Sequence, residues 1–304
     1  MIKGENIVKI FDKKTALNLS KIEIKEGSVF GIVGSNGAGK STLLRNVCGI
    51  YKPTEGEITI DGERVYNNPN AKSKLVFVSD DPYFLPGADI RRMAKLYRAV
   101  YRDFDVDKMN RMCNDFKLPK NKSINNFSKG MKRQAAIILA FCCNAKYMIF
   151  DETFDGLDPV MRNFVKSIIF NEISSGEKTV IVTSHSLREL SDLCDSLMML
   201  HEGKNVLEAS LCDIDSSFAK FQVSFDSPFD EADFSDIDML DFSKVGSIET
   251  LIARGNSDEI KSKLSAKSPT LLESVPLNLD EIFICELKHL GYDFSDAISK
   301  MSDE

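Results

Sequence analysis

The chain has 304 residues, 43% of them hydrophobic and 28% charged, enough for a large globular domain and a smaller one, each with its own core. No apolar run is long enough to cross a bilayer; Ala135 to Phe150 comes nearest, and Asn144 and Lys146 interrupt it. The net charge of −7 is uneven, with 8 basic and 20 acidic residues in 213–304 against a positive remainder, which predicts a domain boundary near residue 212 and argues against nucleic acid as a partner of the acidic part.

Met1-Ile2-Lys3-Gly4-Glu5-Asn6 lacks the basic-then-apolar plan of a signal peptide, so a cytoplasmic location is expected. The seven cysteines include no C-x-x-C pair, which speaks against a disulfide framework or zinc site and for small core hydrophobes in a reducing compartment. Ile7 to Ile24 alternates as strands do, with a turn at Asp12-Lys13-Lys14. Phe11 beside that turn suits either an edge-strand aromatic or a flat surface for a nucleotide base.

Val29-Phe30-Gly31-Ile32-Val33 reads as a buried strand and runs directly into Gly34-Ser35-Asn36-Gly37-Ala38-Gly39-Lys40-Ser41-Thr42. This segment satisfies G-x-x-x-x-G-K-[ST] at each fixed position. Glycines 34, 37 and 39 let backbone N–H groups face a phosphate chain, and a helix from Lys40 to about Cys48 turns its positive end toward the same anion. Lys40 then neutralises the β- and γ-phosphates, and the Ser41 hydroxyl ligates Mg²⁺.

Gly56 to Gly62 is an alternating strand closed by an Asp-Gly turn, and Leu75-Val76-Phe77-Val78 is a buried strand ending in Ser79-Asp80-Asp81-Pro82. From Ala88 the period becomes helical: Ile90, Met93, Tyr97, Val100, Tyr101 and Phe104 share one face, and Arg91, Arg92, Lys95, Arg98 and Arg102 fall elsewhere. That basic face reads as solvated, or as a face near acidic loops or anionic lipid. A helix near Val106 to Phe116 follows, then a polar turn from Asn125 to Gln134 before a helix from Ala135 to Phe141, a second helix N-terminus suited to an anion.

Tyr147-Met148-Ile149-Phe150 delivers Asp151 and Glu152 to the end of a strand, where open parallel sheets bind ligands. Two adjacent acids there are costly unless a cation or a proton transfer uses them, so Asp151 suits Mg²⁺ and Glu152 the polarisation of an attacking water. Gly156-Leu157-Asp158-Pro159 turns into a helix from Val160 to Glu172, and Lys178 to His185 is a strand whose terminal histidine suits a γ-phosphate. His201 and His289 are expected to be structural. Beyond 212, strands around Phe221 to Phe225 and Ser247 to Arg254, a helix from Ser257 to Leu264 and a capped helix from about Leu279 to Leu290 predict a small α+β domain.

In this order and spacing the phosphate loop, Ser128-Lys129-Gly130, Asp151-Glu152, Gly156-Leu157-Asp158-Pro159 and His185 resemble the nucleotide-binding subunit of an ABC transporter, over about residues 3 to 212. The resemblance implies an α/β P-loop NTPase with a RecA-like core, an antiparallel β subdomain and a helical subdomain over about 84–145, in a cassette spanning 1–212. The accessory domain over 213–304 resembles that of some drug, peptide and antibiotic-resistance exporter subunits. ATP and Mg²⁺ are the implied cofactors. ATP is held by Gly34, Ser35, Asn36, Gly37, Ala38, Gly39, Lys40, Ser41 and Thr42, with Phe11 stacked on adenine, and the metal lies near Ser41, Asp80 and Asp151.

By the same resemblance Glu152 is the catalytic base, His185 supports the γ-phosphate and Asp158 communicates between sites. Ser128 and Gly130 close over ATP held by a second nucleotide-binding subunit, identical or different. The other implied partner is a separate integral membrane permease, which places the chain on the inner face of the membrane, energising export. Two positions depart from the family pattern: Phe127-Ser128-Lys129-Gly130-Met131 stands for Leu-Ser-Gly-Gly-Gln, and Asp80 for a Gln. The alternatives are a non-transport ABC ATPase acting on ribosomes or DNA, whose second cassette, coiled-coil insertion or basic extension this sequence lacks, and a regulatory protein that binds ATP with little turnover.

Overall fold

A computed structural model describes residues 1–154, 156–211, 217–226 and 234–289. The chain divides into two compact units, Met1–Asn205 and Val206–Glu304. The boundary expected near 212 falls within 212–216, outside the described residues.

In the first unit, β1 (Ile2–Phe11) and β2 (Lys14–Ile24) form a hairpin whose turn residues Asp12 and Lys13 both have positive φ, 45° and 82°. That pair of left-handed residues matches the twist of the two strands. β3 (Val29–Val33) leaves for a second sheet, while β4 (Glu55–Ile60) and β5 (Glu63–Arg64) complete the first in the order β2-β1-β4-β5. The second sheet adds β6 (Leu75–Val78), β7 (Tyr147–Phe150), β8 (Thr179–Ser184) and β9 (Ser196–His201), in the order β9-β3-β8-β7-β6, and β10 (Lys204–Ser210) spans the division between the units. Its pairs from β9 to β6 are parallel. Parallel pairing aligns the carboxyl ends of these strands, so the residues that follow β3, β6, β7 and β8 share one edge. β3, β7 and β8 are buried along their whole length, the physical reason they read as unbroken apolar runs.

Helix α1 (Lys40–Val47) sends Leu43, Leu44 and Val47 into a core shared with Phe30, Ile32, Tyr147 and Ile181. α2 (Pro69–Ser73) is capped by Asn68, and α3 (Ile90–Val100) and α4 (Val106–Asp115) pack on α5 (Lys129–Cys142). α5 starts earlier than Ala135, because Ser128 caps it by accepting a bond from the Met131 N–H at 3.2 Å, which makes the polar stretch its first turns. Val100, expected on the apolar face of α3, is 62% exposed, whereas Ile90, Met93 and Ala94 are buried. α6 (Pro159–Ile173) and α7 (Leu187–Ser191) follow.

Near the end of α6, Glu172 pairs with Lys108 of α4 and with Lys178 at 2.6 Å. Burial works against the Glu172 carboxylate, yet hydrogen bonds and charge from the two lysines hold its pKa below the ordinary 4.5. A depressed carboxylate contributes stability fully above its unfolded value and loses it as pH falls through the folded one. Glu172→Gln is therefore expected to cost about 2 kcal/mol at pH 7. Melting curves of variant and parent should converge as pH drops below the ordinary glutamate range; a pH-independent gap would contradict this.

The second unit is an antiparallel sheet in the order β12 (Asp238–Val245), β13 (Ile248–Arg254), β11 (Phe218–Ser224), β14 (Leu271–Val275), with α8 (Ser257–Ala266) and α9 (Leu279–His289). Alternation along the strands separates two cores. Phe221, Val223 and Leu251 pack with Ile260 and Leu264 of α8, and Phe218, Leu240 and Ile252 with Ile282 and Cys285 of α9. The expected capping box is present, as the Asn278 N–H donates to Glu281 Oε2 at 3.1 Å. Leu290, the expected helix end, lies outside the described residues.

Six cysteines are described, all buried and unpaired, and burial pushes the Cys142 thiol up to about 12. Among the described residues no helix is long and apolar enough to cross a membrane.

Candidate functional site

The loop between β3 and α1 encloses one side of a cavity of about 740 Å³. Gly39, with φ 107°, has no space for a side chain, since an added Cβ would stand 2.9 Å from the Ala16 carbonyl oxygen. At Gly37, with φ 83°, an added Cβ would meet nothing within 4 Å, so the loop is open there. With glycine at the α1 cap, no side chain occupies the first-turn N–H groups, which leaves them for an anion. Residues 35–42 line the cavity with Glu152.

Lys40 is almost fully buried, its Nζ donating to the carbonyls of Gly34 at 2.6 Å and Ser35 at 3.2 Å. The same Nζ pairs with Glu152 Oε1 at 3.0 Å. Glu152 sits just past β7 in the left-handed region, φ 46°, and donates its N–H to Thr183 Oγ1 at 2.9 Å. A non-glycine residue there is held by its surroundings, which aim its carboxylate at the phosphate loop.

Asp151 is fully buried. Its Oδ1 accepts the Thr183 hydroxyl at 2.8 Å, while Oδ2, also buried, has no hydrogen-bond partner. Burial pushes its pKa up; Thr183 and Ser41 favour the ionised form, and the like charges of Asp80 and Glu152 oppose it. Ser41, Asp80 and Asp151 thus converge electrostatically. A buried carboxylate oxygen without a donor, beside a hydroxyl and a second carboxylate, fits a hard divalent cation.

The other expected residues lie apart from this cavity's lining. Phe11 is partly exposed, its ring edge-on to Tyr51 at 5.3 Å with Lys9 Nζ 4.9 Å above it. Tyr51 went unnoticed because a lone tyrosine after a helix carries no sequence signal. Ser128 and Asp158 are exposed N-caps of α5 and α6, and Gly130 lies near Gly156, whose carbonyl would be 3.5 Å from an added Cβ. His185 follows β8 at the sheet's carboxyl edge and is exposed.

Lys14, Thr15, Ala16, His201 and Glu202 also line the cavity and were not foreseen. His201, expected to be structural, is among them. The turn after β9 reaches the loop because Glu202 and Gly203 both have positive φ, and the Gly203 N–H donates to the Ala38 carbonyl at 2.8 Å. Only the Glu-Gly pair hinted at that turn.

Residues 17–155 match the ABC transporter family. The ABC transporter ATP-binding protein YtrB of Bacillus subtilis is 27% identical over 94% of this chain and 98% of its own length. The lantibiotic transport ATP-binding protein SrtF of Streptococcus pyogenes is 30% identical over 68% of this chain and 90% of its own. A solved ATP-binding cassette, MJ0796, in a dimeric post-hydrolysis state with ADP and Pi, superposes with a TM-score of 0.62 over 69% of this chain and 99% of that one, at 23% identity. That last likeness concerns the fold, a P-loop ATPase cassette of mixed α/β sheets.

Proposed function

Because this chain belongs to the ATP-binding proteins of ABC transporters and is an ATPase of that family, we propose that it works as a pair of cassettes and energises export through a separate membrane subunit. The observation that carries the reading is the buried Lys40 facing Glu152 across the phosphate loop, with the partnerless Asp151 oxygen beside Ser41. Likeness to a lantibiotic transport ATP-binding protein supports a transport role.

In this reading the loop N–H groups and Lys40 bind the triphosphate, and Lys40 gives up Glu152 as it does so. The freed Glu152 carboxylate takes a proton from the attacking water, and His185 donates to a γ-phosphate oxygen. Ser128 and Gly130 of a second cassette complete the site, and closure excludes water from it. Ser41, Asp151 and Asp80 are the residues that would hold Mg²⁺, whose role is to neutralise phosphate charge.

Docking on the membrane subunit is supported by an apolar groove of about 320 Å³ lined by Phe77, Tyr83, Leu85, Leu96, Tyr97 and Val100, of which Tyr83 is 76% exposed. An exposed tyrosine beside apolar neighbours suits contact with a partner surface. The groove begins three residues from Asp80, which suits a report of nucleotide state to the permease.

The test is gentle detergent extraction of the tagged chain and identification of what co-purifies. A stoichiometric polytopic membrane protein supports the transporter reading, and a second cassette beside it shows a heterodimer. Recovery alone or with ribosomes overturns the exporter assignment.

Asp80 makes a further expectation. Its carboxylate lies close enough to Asp151 to oppose that group's ionisation, so it also repels phosphate unless a cation intervenes. Asp80→Gln should reduce the ratio of ATP affinities with and without Mg²⁺ by about tenfold, one charge interaction of about 1.4 kcal/mol. An unchanged ratio in equilibrium binding would remove Asp80 from the metal's surroundings.

A further inference from the structure

His185 projects from the end of β8, and the groups that fix its backbone are visible on either side of it. The Ser184 hydroxyl accepts the Ser186 N–H at 3.0 Å, closing a small loop around the His185 peptide. The same hydroxyl donates to Glu189 Oε2 at 2.8 Å. Glu189, on α7 and 14% exposed, turns its other oxygen, Oε1, to the Arg162 guanidinium at 2.8 Å. Both carboxylate oxygens are therefore engaged, one by Ser184 and one by Arg162 of α6.

Arg162 stands in the first turn of α6. Its N–H donates to the Asp158 carbonyl at 2.9 Å, and the Asp158 side chain caps the helix through the Met161 N–H at 3.0 Å. The buried Arg162 Nε has no hydrogen-bond partner. Glu189 is the carboxylate paired with this guanidinium, and separating the two would leave the largely buried Glu189 charge without its cation. These contacts join the Asp158 turn through Arg162 and Glu189 to Ser184 and the His185 peptide.

We infer that Glu189 and Arg162 are positioning residues for ATP hydrolysis: they hold His185 where it meets the γ-phosphate and tie that placement to the Asp158 turn. The inference rests on the role given above to His185. It makes Glu189 act on turnover through His185, without touching nucleotide.

The experiment compares Glu189→Gln, His185→Ala and the double variant, each as the full chain in its native assembly, measuring kcat, ATP dissociation constant and melting temperature. Glu189→Gln keeps the side-chain shape and removes the charge. It should lower kcat about tenfold, as small misplacements of a reacting group do, with ATP affinity within about twofold, and should cost nothing more in the His185→Ala background. The charge exchange Arg162→Glu with Glu189→Arg should recover part of the loss in kcat.

Equal losses in both backgrounds, accompanied by a lower melting temperature, would show that the pair serves only to pack α6 against α7 and would overturn the inference. A wild-type kcat in Glu189→Gln beside an impaired His185→Ala overturns it while leaving the role of His185 standing. If His185→Ala itself turns over normally, both fall.

Discussion

Glu152→Gln is expected to lower ATP turnover about 10²–10⁴-fold, the range for loss of a positioned general base, while ATP binds at least as tightly as to the parent. Two observations combine in this expectation. Glu152 extends from the end of β7 into the cavity of the phosphate loop, where the attacking water must be polarised. It is also the ion-pair partner of Lys40 at 3.0 Å, so the carboxylate competes with phosphate for the same cation. A glutamine has nearly the same shape and tolerates the same left-handed backbone, but it accepts no proton and competes less for the lysine. Phosphate release and equilibrium nucleotide binding measured on the same preparation distinguish the two effects. Turnover within a few-fold of the parent would remove Glu152 as the base, and weakened binding would contradict the competition with Lys40.

Lys40→Ala is expected to fail one step earlier, in binding. Losing a charge-assisted contact to phosphate costs about 3 kcal/mol, roughly a hundredfold in Kd. The damage extends to the loop itself, because Lys40 also satisfies the carbonyls of Gly34 and Ser35 and pairs with Glu152. Alanine leaves those acceptors to water and the Glu152 carboxylate without its cation. Titration of Lys40→Ala and Glu152→Gln with ATP should therefore move Kd in opposite directions from the parent. Parental affinity in Lys40→Ala would place the triphosphate elsewhere in the molecule.

The parts of the site legible in the sequence are those whose chemistry depends on near neighbours. From Gly34 to Thr42 the spacing of glycine, lysine and hydroxyl directly encodes a loop whose N–H groups face inward, because positive φ and the following helix are local properties. Asp151 and Glu152 were legible for a similar reason: carboxylates after a fully apolar strand have no inexpensive structural use. The first turns of α5 were hidden, since Lys129-Gly130 has poor helix propensity and only the Ser128 cap bond shows where the helix begins. Val100 fits the apolar stripe of α3 by spacing, yet it lies on the groove and faces outward.

Sequence by itself determined the candidate site residues and their order along the chain: the phosphate loop, the paired acids and the strand-end histidine from local pattern, and Ser128 and Asp158 from the resemblance to the family. The phosphate loop and the paired acids follow from spacings of a few residues, over which backbone geometry is nearly rigid. Tertiary structure alone decided which of these meet. The Lys40–Glu152 pair, the placement of Asp151 near Ser41, the His201 lining and the Arg162–Glu189–Ser184 chain all join residues brought together by the parallel register of β3, β8 and β7 and by the helices around them. Such contacts depend on how separate elements pack, and packing is set by the whole core acting together, so no local pattern in the chain encodes them.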